Sequence, residues 1–103
     1  MTDAEDKTAA LLSKLWVKIQ PIVEERLATL DKAAAAEGIL AEDLRKEAES
    51  SAHKLAGSLG MYGYDEGTRV ARELEVLLGE VKPYAARLSA LVTELRAAVF
   101  PAA

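Results

Sequence analysis

An all-α fold, an antiparallel four-helix bundle with an additional short N-terminal helix as a lid, is predicted by three observations. Apolar residues recur three and four apart along nearly the whole chain, no segment alternates apolar with polar, and prolines and glycines cut the chain into helix-length pieces. Composition agrees: half of the 103 residues are apolar, with only 6 Gly and 3 Pro, as in packed helices rather than a disordered tail. That length suits one domain spanning residues 1–103.

Each element has its own signal. Thr2 to Glu5 has capping-box spacing, and Leu11, Leu12, Leu15, Trp16 and Ile19 follow at helical intervals, so a first helix runs to about residue 19. Pro21 interrupts it and opens a second helix, because a missing N–H costs nothing in a first turn. The second stripe is Ile22, Val23, Leu27 and Leu30, with Gly38 as a left-handed cap. A third helix from Leu40 or Ala41 carries Leu44, Ala48, Ala52, Leu55 and Leu59 on one face, and a turn follows at Met61 to Tyr64. Asp65 is the N-cap of a fourth helix with Val70, Ala71, Leu74, Leu77 and Leu78, which stops at Gly79. Pro83 opens a fifth, whose stripe of Tyr84, Leu88, Leu91, Val92, Leu95 and Val99 runs to Pro101. The docking surface expected is the His53 face with part of the lid helix, where Leu11, Leu12 or Trp16 are either exposed or, as periodicity allows equally well and burial of such stripes favours, in the core; Tyr62 and Tyr64 are read as core plugs.

Several functions are excluded or disfavoured at once. There are no cysteines, so disulfides, thiol catalysis and cysteine-based zinc sites do not exist; this is compatible with a reducing cytoplasm. A formal charge of −4, with 13 scattered Lys and Arg against 17 Asp and Glu, argues against nucleic acid. No apolar run is long enough to span a membrane. No paired acid and base, metal cluster or phosphate-cradling loop is present, so neither an enzyme nor a cofactor or metal is expected.

The one residue with distinctive chemistry is His53, the only histidine. At about 100° per residue, Leu44, Ala48, Ala52 and Leu59 fall within about 60° of Leu55, whereas His53 falls near 160°. The imidazole therefore points away from the core. Gly57, one turn on, and Gly60 leave space beside the ring for a partner's active site. An exposed imidazole keeps one unprotonated, nucleophilic nitrogen at neutral pH. Phosphoryl transfer needs in-line positioning and charge neutralisation more than covalent machinery, so such an acceptor can be bare.

The segment Ala52-His53-Lys54-Leu55-Ala56-Gly57-Ser58-Leu59-Gly60-Met61-Tyr62-Gly63-Tyr64, continuing to Leu74-Glu75, resembles the signature of histidine phosphotransfer (HPt) domains of bacterial phosphorelays. The resemblance implies that His53 is the phosphoacceptor, exchanging a phosphoryl group with the aspartate of a response-regulator receiver domain downstream of a hybrid histidine kinase, with any Mg²⁺ belonging to the receiver. It implies that Gly57 supplies clearance and that Glu75, from the neighbouring helix, holds the imidazole tautomer. Spacing places Thr68, Arg72 and Glu75 on one flank of the fourth helix, so Arg72 joins Glu75 and Lys54 as a candidate supporting residue. One departure stands out: many family members carry lysine three residues after the histidine, and here the position is Ala56. That gap favours an alternative, an HPt-like adaptor that binds a receiver or kinase without transferring phosphate. A monomer is expected in either case.

Overall fold

The computed structural model describes residues 3–36, 40–80 and 85–101. They form α1 (Asp3–Ala35), α2 (Glu42–Leu59), a single 3₁₀ turn (Gly60–Tyr62), α3 (Asp65–Leu78) and α4 (Ala85–Val99), with no strand among them. The fold is the all-α four-helix bundle expected. Gly38, Pro83 and Tyr84, expected to cap or open helices, lie outside the described residues.

The lid is not a separate helix. α1 continues through Pro21 for 33 residues, so the first two expected helices are one. Proline in a helix interior removes the hydrogen bond to the carbonyl four residues back, a cost of about 3 kcal/mol. Here that carbonyl belongs to Val17, and Val17 and Pro21 are both exposed, so the freed oxygen meets water. Burial on the other side holds the helix together. Trp16 and Ile19 before the proline, and Val23, Leu27, Leu30 and Ala33 after it, pack against a single core.

At 1.5 Å per residue, 33 residues span roughly 50 Å, which accounts for the molecule's longest dimension of 53 Å. Trp16 marks where the bundle ends. Its ring centroid lies 5.4 Å from Tyr62, 4.7 Å from Tyr64 and 5.9 Å from Phe100, closing the end formed by the α2–α3 turn and the end of α4. The part of α1 before it forms an arm. Leu11 (58% exposed), Leu15 and Ile22 share one side of α1 that is solvated rather than buried; Leu12 is half-buried.

The core joins Leu27 and Leu30 of α1 to Leu55 and Leu59 of α2, Leu74 and Leu78 of α3, and Leu91 and Leu95 of α4. At α3, Asp65 is not the cap; Tyr64 is, and Asp65 and Glu66 occupy the first turn, where their charges favour the helix dipole. The α2–α3 turn closes as a Schellman pair, Tyr64 N–H to Leu59 O and Gly63 N–H to Gly60 O, both 3.1 Å. This requires the left-handed conformation that Gly63 adopts (φ +86°). Gly67 serves close approach instead: a Cβ there would lie 3.1 Å from both Leu59 and Val99.

Candidate functional site

His53 sits in the middle of α2, with Ala52 and Leu55 buried beside it and its own side chain 73% exposed. Nδ1 lies 2.7 Å from Oε2 of Glu75 on α3, a carboxylate one-third exposed. A carboxylate only accepts, so Nδ1–H donates, and Nε2 keeps its lone pair on the side away from Glu75. Leu74 and Leu78, both fully buried, fix α3 on either side of Glu75. The hydrogen bond is therefore made between two anchored helices.

The other expected site residues fall in different places. A Cβ at Gly57 would meet nothing within 4 Å, so the space next to His53 is open. At Gly60 it would lie 3.3 Å from the Thr68 hydroxyl. Gly60 thus approaches α3 closely while remaining exposed. That hydroxyl is buried and has no hydrogen-bond partner among the described residues. Arg72 is exposed and lines an open cleft with Gly60, Thr68 and Glu73. Lys54 turns the other way, into the groove between α1 and α2 beside Glu25, Arg26 and Glu47. The structure brings Glu75 to the imidazole and separates Lys54 from Glu75.

Arg45 was not singled out by sequence reasoning. Its guanidinium donates to the Leu78 carbonyl at the end of α3 (2.6 Å) and to Glu42 and Glu49 of its own helix. The spacing of Glu42, Arg45 and Glu49 was visible as a helical ion-pair pattern, but the contact across to α3 was not. Arg69 plays a similar part, joining Glu66 and Glu73 of α3 to Glu94 of α4. The hydrogen bond from Arg45 holds the Glu42 carboxyl below the usual carboxylate range, and Arg69 does the same for Glu66. Among the described residues no cluster of three or more His, Asp or Glu forms a metal site, and no helix is long and apolar enough to cross a membrane.

A helical bundle that presents one exposed histidine, oriented by a carboxylate from the neighbouring helix, has the architecture of a phosphocarrier module. The comparison with known families agrees: the model of the Hpt domain matches residues 20–99. The chain belongs to the Hpt domain family, the histidine phosphotransfer modules of phosphorelays. It is also similar to Protein RcaC of Microchaete diplosiphon, 29% identical over 101 residues. That match covers 92% of this chain and 16% of the relative, so the chain spans about a sixth of the relative's length. No solved structure is significantly similar to it.

Proposed function

We propose that the chain carries a phosphoryl group on His53, accepting it from the aspartyl phosphate of a response-regulator receiver domain and passing it to another such aspartate. The observation that carries this reading is the His53–Glu75 hydrogen bond beside the open space at Gly57. It commits the Nδ1 proton and leaves Nε2 as an outward-facing nucleophile.

In the accepting step the Nε2 lone pair attacks phosphorus, and the bond from phosphorus to the aspartyl oxygen breaks. The electron pair leaves with the carboxylate. The ring keeps its Nδ1 proton and becomes cationic, and the Glu75 carboxylate stabilises that charge across the hydrogen bond. Donation reverses these events. The chain supplies a positioned acceptor, while the receiver supplies the metal and cations that neutralise the phosphoryl group in flight.

In this reading residues 1–103 act as one cytoplasmic, monomeric domain that takes part in a relay with a hybrid histidine kinase and receivers, without a cofactor, nucleic acid or membrane. The docking surface is the His53 face with the adjoining side of α1. Leu11, Leu15 and Ile22 are exposed on one stripe of α1, and Ile22 borders the same groove as Lys54. Ala56, only 7% exposed, stands where many family members carry lysine; this favours the second reading, an adaptor that binds a receiver without transfer.

The deciding experiment is label transfer from a radiolabelled phosphorylated receiver to the wild type and to His53→Gln. Acid-labile, alkali-stable label on the wild type alone is expected. No label from a panel of receivers that charge another phosphotransfer domain would leave the adaptor.

A further inference from the structure

Phosphorylation of His53 would place a dianionic group close to the Glu75 carboxylate, itself 2.7 Å from the ring. Even with the ring cationic, the local charge is then net negative, and a neighbouring cation decides how readily the adduct holds its charge. The described arginines are mostly committed elsewhere. Arg45 is paired with Glu42 and Glu49, Arg69 with Glu66, Glu73 and Glu94, Arg87 with Glu73, and Arg96 with Glu24 and Asp31. Lys54 and Arg26 share the α1–α2 groove with Glu25 and Glu47. On α2 itself, Glu49 lies one turn before His53 and Lys46 two turns before it.

Arg72 differs from the paired arginines and, unlike the equally unpaired Arg26, Lys46 and Lys54, stands on α3, the helix that carries Glu75. It is exposed and, among the described residues, makes no hydrogen bond or ion pair. Its placement follows from the α2–α3 seam, where three contacts share one antiparallel register: Glu49 against Gly79, His53 against Glu75, and Gly60 against Thr68. That register sets Arg72 opposite Ala56, one turn from the His53–Glu75 pair. Ala56 is buried there, and Gly57 beside it has no side chain and open space around it. Towards the α2–α3 turn a cleft of about 520 Å³ follows, with Arg72 in its wall beside Gly60, Asp65, Thr68, Arg69 and Glu73. Residues three apart on a helix are neighbours, so Arg72 stands beside Glu75, whose carboxylate reaches the imidazole.

We propose that Arg72 holds the phosphoryl group on phosphorylated His53, its guanidinium fork donating to two phosphoryl oxygens while Glu75 keeps Nδ1. This rests on His53 being the phosphoacceptor. The ligand is a phosphoryl dianion on an imidazole, and the planar guanidinium matches its oxygens better than an ammonium does.

The test charges the purified protein with phosphoramidate and follows the product by ³¹P NMR across pH. In the charging step Nε2 attacks phosphorus, the donor's P–N bond breaks and ammonia leaves. A cation beside the group favours its dianionic form, so Arg72→Gln should raise the midpoint of its last ionisation by about half a pH unit, the size of an exposed ion pair. Arg72→Lys should restore most of the difference. Lys7→Gln, the same charge change on the distant arm, should leave the midpoint in place. A wild-type midpoint in Arg72→Gln overturns the proposal, as does a shift produced by Lys54→Gln or Lys46→Gln in its stead. Failure of the wild type to take up phosphate on His53 sinks the phosphoacceptor reading itself, and the two failures are told apart by whether the adduct forms.

Discussion

Gly57→Ala separates the two things a glycine beside His53 can do. Its backbone is helical, since Gly63 alone among the described residues has positive φ, and a Cβ at position 57 would have nothing within 4 Å. The methyl group therefore costs no packing, and the substitution removes glycine's excess freedom in the unfolded chain. That is worth about 0.5–1 kcal/mol in a helix, or roughly 2–6 °C in Tm for a domain of this size. Urea unfolding followed by helical circular dichroism should show a higher midpoint with an unchanged slope. The same methyl group lies in the space where a receiver's active site approaches Nε2. Transfer from a labelled receiver should slow by about tenfold, equivalent to about 1.4 kcal/mol of barrier. Slower transfer by a more stable protein is a combination that damage to the fold does not produce. If Gly57→Ala is more stable and transfers at the wild-type rate, no partner uses that space; if it is less stable, the site is not open.

Other substitutions test neighbouring parts of the argument. Gly67→Ala should do the opposite of Gly57→Ala: its Cβ would press on buried Leu59 and Val99 at 3.1 Å, and overpacking less the helix-propensity gain leaves a loss of about 1–2 kcal/mol by urea unfolding. Glu75→Ala removes the acceptor of the Nδ1 proton from an exposed pair, so transfer to His53 should fall about five- to tenfold while Tm moves by no more than a few degrees. Trp16→Ala empties the aromatic plug against Tyr62, Tyr64 and Phe100 and should cost about 2–3 kcal/mol with loss of the near-ultraviolet dichroism, rather less than a fully buried tryptophan. Glu42 and Glu66 have carboxyls lowered from 4.5 in the folded state; their contribution is complete above that value and is lost as pH falls through the lowered one. An acid titration of Glu42→Gln or Glu66→Gln should accordingly lose less stability below about pH 4.5 than the wild type.

The position of His53 was legible because it depends on a single helix. Its angle to the stripe of Ala48, Ala52, Leu55 and Leu59 needs only the helical period, and those four are fully buried while His53 is exposed. Residues whose roles depend on two helices were harder to place. Lys54 stands next to His53 in the chain but turns into the α1–α2 groove. Gly60 also meets the Thr68 hydroxyl of α3. Arg45 reaches a backbone carbonyl 33 residues away. Such contacts follow from the relative register of α2 and α3, which no single-helix periodicity contains.

The misplaced break at Pro21 is a different kind of error, because the information that corrects it lies within one helix. Proline at position 21 fits two accounts, the first turn of a new helix or a tolerated defect in a continuing one. The phase of the apolar stripe distinguishes them. Counting at about 100° per residue, Trp16, Ile19, Val23, Leu27 and Leu30 all fall within a sector of about 80°, with no jump across the proline. Two separate helices have no reason to preserve that phase, since the turn between them sets the second independently of the first. A continuous helix preserves it necessarily, provided the proline lies off the stripe where its lost hydrogen bond can be made good by water. Pro21 and Val17 are on that exposed side. The burial gained along the unbroken stripe outweighs a local cost of about 3 kcal/mol, while Leu11, Leu15 and Ile22, about 80–120° from its centre, are exposed together on another side.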